Sequence, residues 1–246
     1  HKSFCSLIVG NKQNIYFEKY AKDFPENQPQ TIMSITKMFV NLFVGELLNN
    51  KSINLDKKVS YYLPKIGSGY ANAKVQDVLN MNVINAYTED YTKAYSSSFL
   101  HEPVGGWRLP KNGDKHLSQE DYLNTIKSKK NRNLINKSNL AFYKSANTDV
   151  VGLIVEKISG KPLRHWMLRA VEAAGFEEGI YIASDRYGMP WMSGGGCLIT
   201  RDFLRMGLLF ARKGKGVGNR KIGSASFLDQ TVKNAVSYTH LTLPTR

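Results

Sequence analysis

A serine and a lysine three residues apart, Ser34 and Lys37, open the apolar segment TIMSITKMFVNLF, residues 31–43. On a helix, residues three apart share one face, so the Ser34 hydroxyl and the Lys37 amine can meet. A serine hydroxyl becomes a nucleophile when a base takes its proton, and a buried, neutral lysine amine is such a base. Because S-x-x-K arises about twice by chance in a chain of this composition, an ordinary helix start with a solvated lysine is the alternative.

A second group of candidate residues begins the segment FYKSANTDVVGLIVEKISGKP, residues 142–162. Tyr143 and Ser145 stand immediately before a run of apolar residues with helical spacing. The structural alternative for Tyr143 is a tyrosine packed in the core.

The patterns around these residues predict the elements that hold them. Apolar spacing predicts a helix from Ser34 to Leu48, and Asn147 or Thr148 is the expected N-cap of a helix that ends at Gly160. Ser118 is the expected N-cap of a further short helix. Other predicted elements are a hairpin over 6–21, a helix over 162–176, a strand over 179–184, a flexible glycine corner over 193–196 and a helix over 201–212 capped by Thr200.

Residues 85–116 are irregular and rich in aromatic residues, glycine, proline and serine, which is typical of a long loop that lines a pocket. Asp90, Tyr91 and Trp107 are the candidate substrate-binding residues of this loop, with Trp191 as a further aromatic wall. Gly195, in the glycine-rich segment, is the remaining candidate. The order of strands followed by many helices places the chain in the α+β class.

Composition excludes several other functions. The 246 residues are 42% hydrophobic, which is enough for a substantial core, and no apolar run is long enough to span a membrane. The net charge of +14 suggests nucleic acid, but the basic residues are spread along the chain apart from 127–132, and no nucleic-acid-binding motif is present. We therefore expect a solvated basic surface and no nucleic-acid partner.

The histidines and cysteines indicate neither a metal site nor a cofactor. The five histidines are scattered, and His101 and His165 are interpreted as surface or structural residues. Cys5 and Cys197 are far apart in sequence, and two buried thiols are favoured over one disulfide.

Four segments, in this order, resemble the serine β-lactamase-like and penicillin-binding-protein-like hydrolases, on the branch of class C β-lactamases, esterases and aminohexanoate-oligomer hydrolases. SITK (34–37) resembles their nucleophile motif, VSYYLPKIGSGYANAKVQDVLNMN (59–82) their connector, YKS (143–145) their tyrosine motif and GGGCLITRDFLRMG (194–207) their glycine-rich segment. The resemblance covers most of residues 30–235. It implies a β-lactamase/transpeptidase-like α+β fold, with an antiparallel sheet flanked by helices and a mostly helical subdomain.

The resemblance also implies roles and a reaction. Ser34 would be the acylated nucleophile, Lys37 its proton acceptor and Tyr143 the second acid/base group, with Ser145 in the same polar network and the Ser34 N–H as one oxyanion donor. The implied partner is a small-molecule amide, ester or β-lactam, hydrolysed without a cofactor. A non-hydrolytic penicillin-binding-type sensor on the same fold is the alternative. A basic nucleic-acid binder is a second rival, for which salt-sensitive DNA binding would be the sign.

One part of the family pattern has no counterpart in the chain. The third motif, Lys/His–Thr/Ser–Gly or a variant, has no match between Ile199 and Ala235, and residues 236–246 (VSYTHLTLPTR) resemble a translated sequencing adapter. We therefore expect a sheet that lacks its C-terminal strands, in a poorly stable and nearly inactive fragment. Oligomeric state and compartment stay open, with a bacterial cell envelope or secreted location slightly favoured over the cytoplasm. The domain prediction is one catalytic domain over 1–235, with a hairpin part over 1–33, a nucleophile-bearing and mostly helical part over 34–200, and a helix returning toward the sheet over 201–235.

Overall fold

The computed structural model describes residues 4–111, 118–138 and 140–233. The tail predicted to derive from an adapter, 236–246, lies outside these ranges. The described elements combine small antiparallel sheets with helices, as the α+β prediction requires. The helices are α1 Met38–Asn49, α2 Val59–Tyr62, α3 Ser68–Ala71, α4 Val75–Leu79, α5 Ser97–Val104, α6 Gln119–Asn124, α7 Ser145–Ser159, α8 Leu163–Ala174, α9 Thr200–Ala211 and α10 Ala225–Lys233.

The predicted N-terminal hairpin is confirmed. Strands β1 (Ser6–Gly10) and β2 (Ile15–Tyr20) pair antiparallel around a polar turn. One face of the hairpin packs on α9, where Arg201 forms a two-pronged ion pair with Glu18 at 2.7 and 3.1 Å. The opposite face is apolar and exposed, and includes Leu7, Val9 and Phe17.

A second sheet has the strand order β3–β5–β4, with β3 at Gln30–Thr31, β4 at Tyr181–Ile182 and β5 at Gly196–Leu198. Both pairings are antiparallel. The predicted flexible glycine corner over 193–196 is therefore wrong, because Gly196 begins the central strand and residues 193–196 are buried. A glycine is needed at 196, since an added Cβ would lie only 2.8 Å from Thr36 Oγ1.

The predicted helix from Ser34 to Leu48 forms in two parts. A 3₁₀ turn spans Met33–Lys37, and α1 continues from Met38 to Asn49. Helix α1 is buried around most of its circumference, and Phe39, Leu42 and Phe43 are fully enclosed by the core. This helix anchors the serine-bearing turn to the rest of the molecule.

The helix after Tyr143 starts earlier than predicted. Helix α7 begins at Ser145, so neither Asn147 nor Thr148 is its N-cap. The Asn147 side chain is buried instead and bonds Tyr70 Oη at 2.9 Å and the Val78 carbonyl at 3.1 Å. The predicted end at Gly160 is confirmed, because Gly160 adopts the left-handed conformation with φ 62°.

Several smaller predictions can be checked in the same way. Ser118 caps α6 as expected and accepts a hydrogen bond from the Asp121 N–H. Helix α9 starts at Thr200 rather than after it, and the Thr200 hydroxyl bonds Ser6 at 2.7 Å. The loop over 85–116 contains α5, which the irregular composition did not predict. Cys5 and Cys197 form no disulfide with each other, as expected, but both are half-buried and not buried as predicted.

Candidate active site

The serine, lysine and tyrosine singled out by their motifs meet in space. Ser34 Oγ lies 2.7 Å from Tyr143 Oη, and Lys37 Nζ donates a hydrogen bond to Ser34 Oγ at 3.1 Å. The amine also lies 5.1 Å from the centre of the Tyr143 ring. The 3₁₀ turn places residues i and i+3 above one another, which directs Lys37 toward Ser34. Ser34 itself is exposed, so a substrate can reach its hydroxyl.

The backbone before Ser34 is held in an unusual conformation. Met33 has φ 44°, in the left-handed region that a residue with a side chain rarely adopts. Thr36 Oγ1 donates to the Met33 carbonyl at 2.6 Å and accepts the Gly196 N–H at 3.1 Å. These two hydrogen bonds attach the turn that carries Ser34 to the central strand β5. Contacts of this kind keep a strained conformation populated.

Lys37 Nζ is held by three oxygens. Besides Ser34, the amine donates to Ser145 Oγ at 3.3 Å and to the carbonyl oxygen of Ser193. A lysine ammonium has three donors, so the three oxygens fix both its position and its orientation. Ser145, predicted to belong to the polar network, therefore lies in contact with the candidate base.

Glu89 is a site residue that the sequence did not indicate. Its carboxylate accepts the Ser145 N–H at 2.8 Å and the Ser145 hydroxyl at 2.6 Å. The Tyr91 hydroxyl donates to the same carboxylate. A carboxylate at the first amide of α7 is also favoured by the helix dipole. Glu89 thus connects the aromatic loop to Ser145, next to Lys37.

The predicted loop residues divide into two groups. Tyr91 reaches the site, since its hydroxyl lies 3.2 Å from Ser145 Oγ, and burial with the nearby Glu89 raises its pKa above the ordinary value. The Asp90 carboxylate turns into its own loop and accepts the Thr92 N–H and hydroxyl at 3.0 and 2.7 Å. These hydrogen bonds lower the pKa of Asp90. The structure therefore does not bring Asp90 to Ser34.

Trp107 and Gly195, two predicted substrate-binding residues, both contact Trp191. The Trp107 ring is 6.0 Å from the ring of the buried Trp191, so the two tryptophans pack together, and their role as a wall of the substrate pocket stays a prediction. Gly195 is buried and exchanges backbone hydrogen bonds with Ala183 and Trp191, both at 3.0 Å. Gly195 shapes the turn that presents the Ser193 carbonyl to Lys37, rather than contacting Ser34.

Comparison with known proteins identifies the family of the chain. The beta-lactamase family model matches residues 6–205, which is most of the chain. The chain belongs to the beta-lactamase family. The resemblance inferred from the four segments is therefore confirmed.

Relatives of this beta-lactamase family chain include a 6-aminohexanoate-dimer hydrolase of Paenarthrobacter ureafaciens, 28% identical over 226 residues. That alignment covers 88% of this chain but only 54% of the relative, so the chain spans about half the length of the curated protein. Among solved structures, a Bacillus anthracis protein assigned as a 6-aminohexanoate-dimer hydrolase superposes with a TM-score of 0.76 at 20% identity, over 92% of this chain and 58% of that one.

A penicillin binding protein from Bacillus halodurans superposes with a TM-score of 0.64 at 14% identity, over 93% of this chain and 75% of that one. At these identities the solved structures show the fold alone, and they confirm the β-lactamase/transpeptidase-like class.

Two further properties of this beta-lactamase family chain can be read from its described residues. No helix there has the length and apolar character to cross a bilayer. The same ranges contain no cluster of three or more His, Cys, Asp or Glu side chains arranged to hold a metal ion.

The structure also contains a buried pair of titratable residues, His101 and Asp149, that the sequence did not predict. His101, interpreted as a surface or structural residue, is fully buried on α5, so the surface interpretation is wrong. It faces Asp149 of α7, also fully buried, with 3.7 Å between His101 Nε2 and Asp149 Oδ2. A hydrogen bond from the Ser193 N–H to Asp149 Oδ1, 3.1 Å long, connects this pair to the residue whose carbonyl receives Lys37.

Proposed function

We propose that the chain is the nucleophile-bearing part of a serine hydrolase that cleaves an amide or ester bond through an acyl-enzyme on Ser34. The observation that supports this most directly is the contact of Ser34 Oγ with both Tyr143 Oη, at 2.7 Å, and Lys37 Nζ, at 3.1 Å. Two groups able to accept and donate protons thus lie within hydrogen-bond reach of one exposed hydroxyl.

In the acylation step, Ser34 Oγ attacks the substrate carbonyl carbon while its proton passes to Lys37 in its neutral amine form or to Tyr143 in its tyrosinate form. The Ser34 backbone N–H, at the start of the helical turn, stabilises the oxyanion that forms. Collapse of the tetrahedral intermediate breaks the bond to the leaving amine or alcohol. Tyr143 Oη returns a proton to that group as it leaves, because Tyr143 is the acid closest to Ser34 on the exposed side.

In the deacylation step, water attacks the acyl carbonyl and the same groups act in reverse. Lys37 or Tyr143 takes a proton from the water, and Ser34 Oγ recovers a proton when the acid product departs. Ser145 and Glu89 keep Lys37 in place throughout. No electron transfer and no cofactor is needed for this sequence.

Small linear amides and esters are the substrate class that we propose. The relative from Paenarthrobacter ureafaciens is named for the hydrolysis of an aminohexanoate dimer, which is a linear amide. Tyr91, which is exposed and whose hydroxyl lies 3.2 Å from Ser145 Oγ, supplies aromatic surface near Lys37, on which an aliphatic or aromatic acyl chain can pack.

The test is acylation of Ser34 by an activated p-nitrophenyl ester, followed by intact-mass spectrometry and p-nitrophenol release. Acylation is the readout because the sequence predicts weak turnover for this chain. The parent is expected to gain one acyl group, and Ser34→Ala none. Ser138→Ala, a change at an exposed serine in another loop, is the matched control and should acylate like the parent.

Acylation of Ser34→Ala at the parental rate would contradict the proposal. A stable acyl group with no further release of p-nitrophenol would favour the alternative, a non-hydrolytic sensor on the same fold. Parallel assays with an aminohexanoate dimer and with a chromogenic β-lactam separate linear amides from β-lactams as substrates.

A further inference from the structure

A buried carboxyl group stands directly behind the candidate base. Asp149 follows Ser145 by one turn of α7, so both side chains lie on the face of the helix that looks toward Lys37. Asp149 Oδ1 accepts the N–H of Ser193, and the carbonyl of the same Ser193 accepts Lys37 Nζ. A single residue of the chain therefore bonds the carboxyl group on one side and the amine on the other.

The second oxygen of this carboxyl group faces a histidine. Asp149 Oδ2 and His101 Nε2 are 3.7 Å apart, and neither atom has a hydrogen-bond partner among the described residues. The other ring nitrogen, His101 Nδ1, lies 3.2 Å from Tyr87 Oη, and the ring stacks on Tyr122. The separation of 3.7 Å is longer than a hydrogen bond, but buried polar atoms are nearly always paired, so two facing orphan atoms indicate that a small approach would let a proton lie between them.

Burial decides where that proton resides. It raises the pKa of Asp149 to about 7, although the charge of Lys37 partly opposes the rise. It lowers the pKa of His101 to about 3, and the charge of Lys37 lowers it further. The favoured state in mildly acidic solution is thus a neutral carboxylic acid facing a neutral imidazole.

We propose that Asp149 and His101 are a buried proton-sharing pair that positions the Ser193 carbonyl against Lys37. In the protonated pair the carboxylic acid donates to His101 Nε2. Above neutral pH the carboxyl group loses its proton and places a negative charge behind the Lys37 amine. Asp149 and His101 are positioning residues, because they act on the reaction only through Ser193 and Lys37, and this part of the inference rests on the proposed function.

The tyrosines around the pair do not imitate this behaviour near neutral pH. The pKa values of the tyrosines at 70, 87 and 122 are raised by burial, so they stay protonated. The titratable and charged groups that face the pair from neighbouring elements are Lys37, Tyr70, Tyr87, Glu89 and Tyr122.

The test uses the whole chain labelled with ¹⁵N-histidine and follows the His101 ring nitrogens by NMR from pH 5 to 9. No substrate is present, so the result does not depend on hydrolysis. In the parent, the His101 Nε2 resonance is expected to move with a midpoint near neutral pH, as its partner changes from acid to carboxylate. In Asp149→Asn this midpoint should disappear. A flat parental titration, or a midpoint that persists in Asp149→Asn, would overturn the proposal.

A second variant tests the connection to Lys37 and also covers the case in which Asp149→Asn does not fold. Lys37→Met removes the positive charge that favours the ionised carboxyl group, so the His101 midpoint should move to higher pH. Lys213→Met, a change at an exposed lysine paired with Asp229, is the matched control and should leave the midpoint in place. An unmoved midpoint in Lys37→Met would refute the connection.

The consequence for the reaction is measured separately. The rate of ester acylation of Ser34 should change across neutral pH with the midpoint seen at His101 in the parent, and Asp149→Asn should lose that component. Acylation in Asp149→Asn with the parental pH profile would refute the positioning role. If the parent shows the NMR midpoint but no acylation, the proposed function fails while the proton-sharing pair stands.

Discussion

The pair of His101 and Asp149 predicts how the free energy of unfolding depends on pH. Folded Asp149 keeps its proton up to about pH 7, whereas an unfolded aspartic acid releases it near ~4. Between these values the folded chain binds more protons, so Asp149 makes the protein less stable as the pH rises. Folded His101 stays unprotonated down to about pH 3, whereas an unfolded histidine binds a proton below ~6.5. His101 therefore makes the protein more stable as the pH rises.

The two contributions cancel in the parent. Each changes the free energy of unfolding by about 1.4 kcal/mol per pH unit, in opposite directions, between about pH 4 and 6.5. Both side chains are fully buried, so solvent does not screen the effect. Asp149→Asn removes the contribution that makes the parent less stable as the pH rises. Relative to the parent, its stability should rise by about 3 kcal/mol from pH 4.5 to 6.5. His101→Gln should show the opposite slope, and the double variant should follow the parent.

Urea unfolding followed by circular dichroism, repeated at several pH values, measures these differences. The quantity to compare is the slope of each variant relative to the parent, because the other carboxyl groups and histidines contribute equally to both. The stability curves of Asp229→Asn, at a half-buried residue, and of His165→Gln, at an exposed one, should run nearly parallel to that of the parent. If the stability curves of His101→Gln and Asp149→Asn also ran parallel to that of the parent, the assigned protonation states would be refuted.

Two further predictions concern the geometry around Ser34. Glu89→Gln weakens charge-assisted hydrogen bonds and should slow acylation about tenfold to hundredfold in stopped-flow measurements. Asp90→Asn alters the neighbouring turn alone and should have little effect; equal losses would contradict a role for Glu89. Gly196→Ala places a Cβ 2.8 Å from Thr36 Oγ1 and should destabilise the chain by about 1–3 kcal/mol in urea. Gly207→Ala, on α9 with no atom within 4 Å, should stabilise it by roughly 0.5–1 kcal/mol, and a loss there would refute the packing argument.

Sequence patterns correctly predicted the elements whose structure depends on residues close together in the chain. The hairpin over 6–21, the helix that follows Lys37 and the stop at Gly160 follow from spacing and turn chemistry, and all three form. The motif residues Ser34 and Tyr143 were found because their types and spacing carry chemical meaning before folding.

The errors have a common physical origin in contacts between distant segments. Asn147 has the composition of a cap, but its amide bonds Tyr70 and the Val78 carbonyl in the core. Residues 193–196 have the composition of a flexible turn, but the glycine at 196 allows Thr36 to approach strand β5. Glu89, His101 and Asp149 resemble ordinary polar residues in sequence, because their roles depend on neighbours that only the folded chain supplies.

The cluster around Ser34 joins segments that are far apart along the chain. Tyr143 follows Ser34 by 109 residues, and the Ser193 carbonyl follows Lys37 by 156. Contacts of such separation form late and at a high entropic cost during folding. A partly folded or newly synthesised chain therefore carries an ordinary serine, and on the proposed function Ser34 is expected to react with esters or amides only after the fold closes. The rate at which Ser34 becomes reactive after dilution from urea consequently measures the rate of the last long-range step of folding.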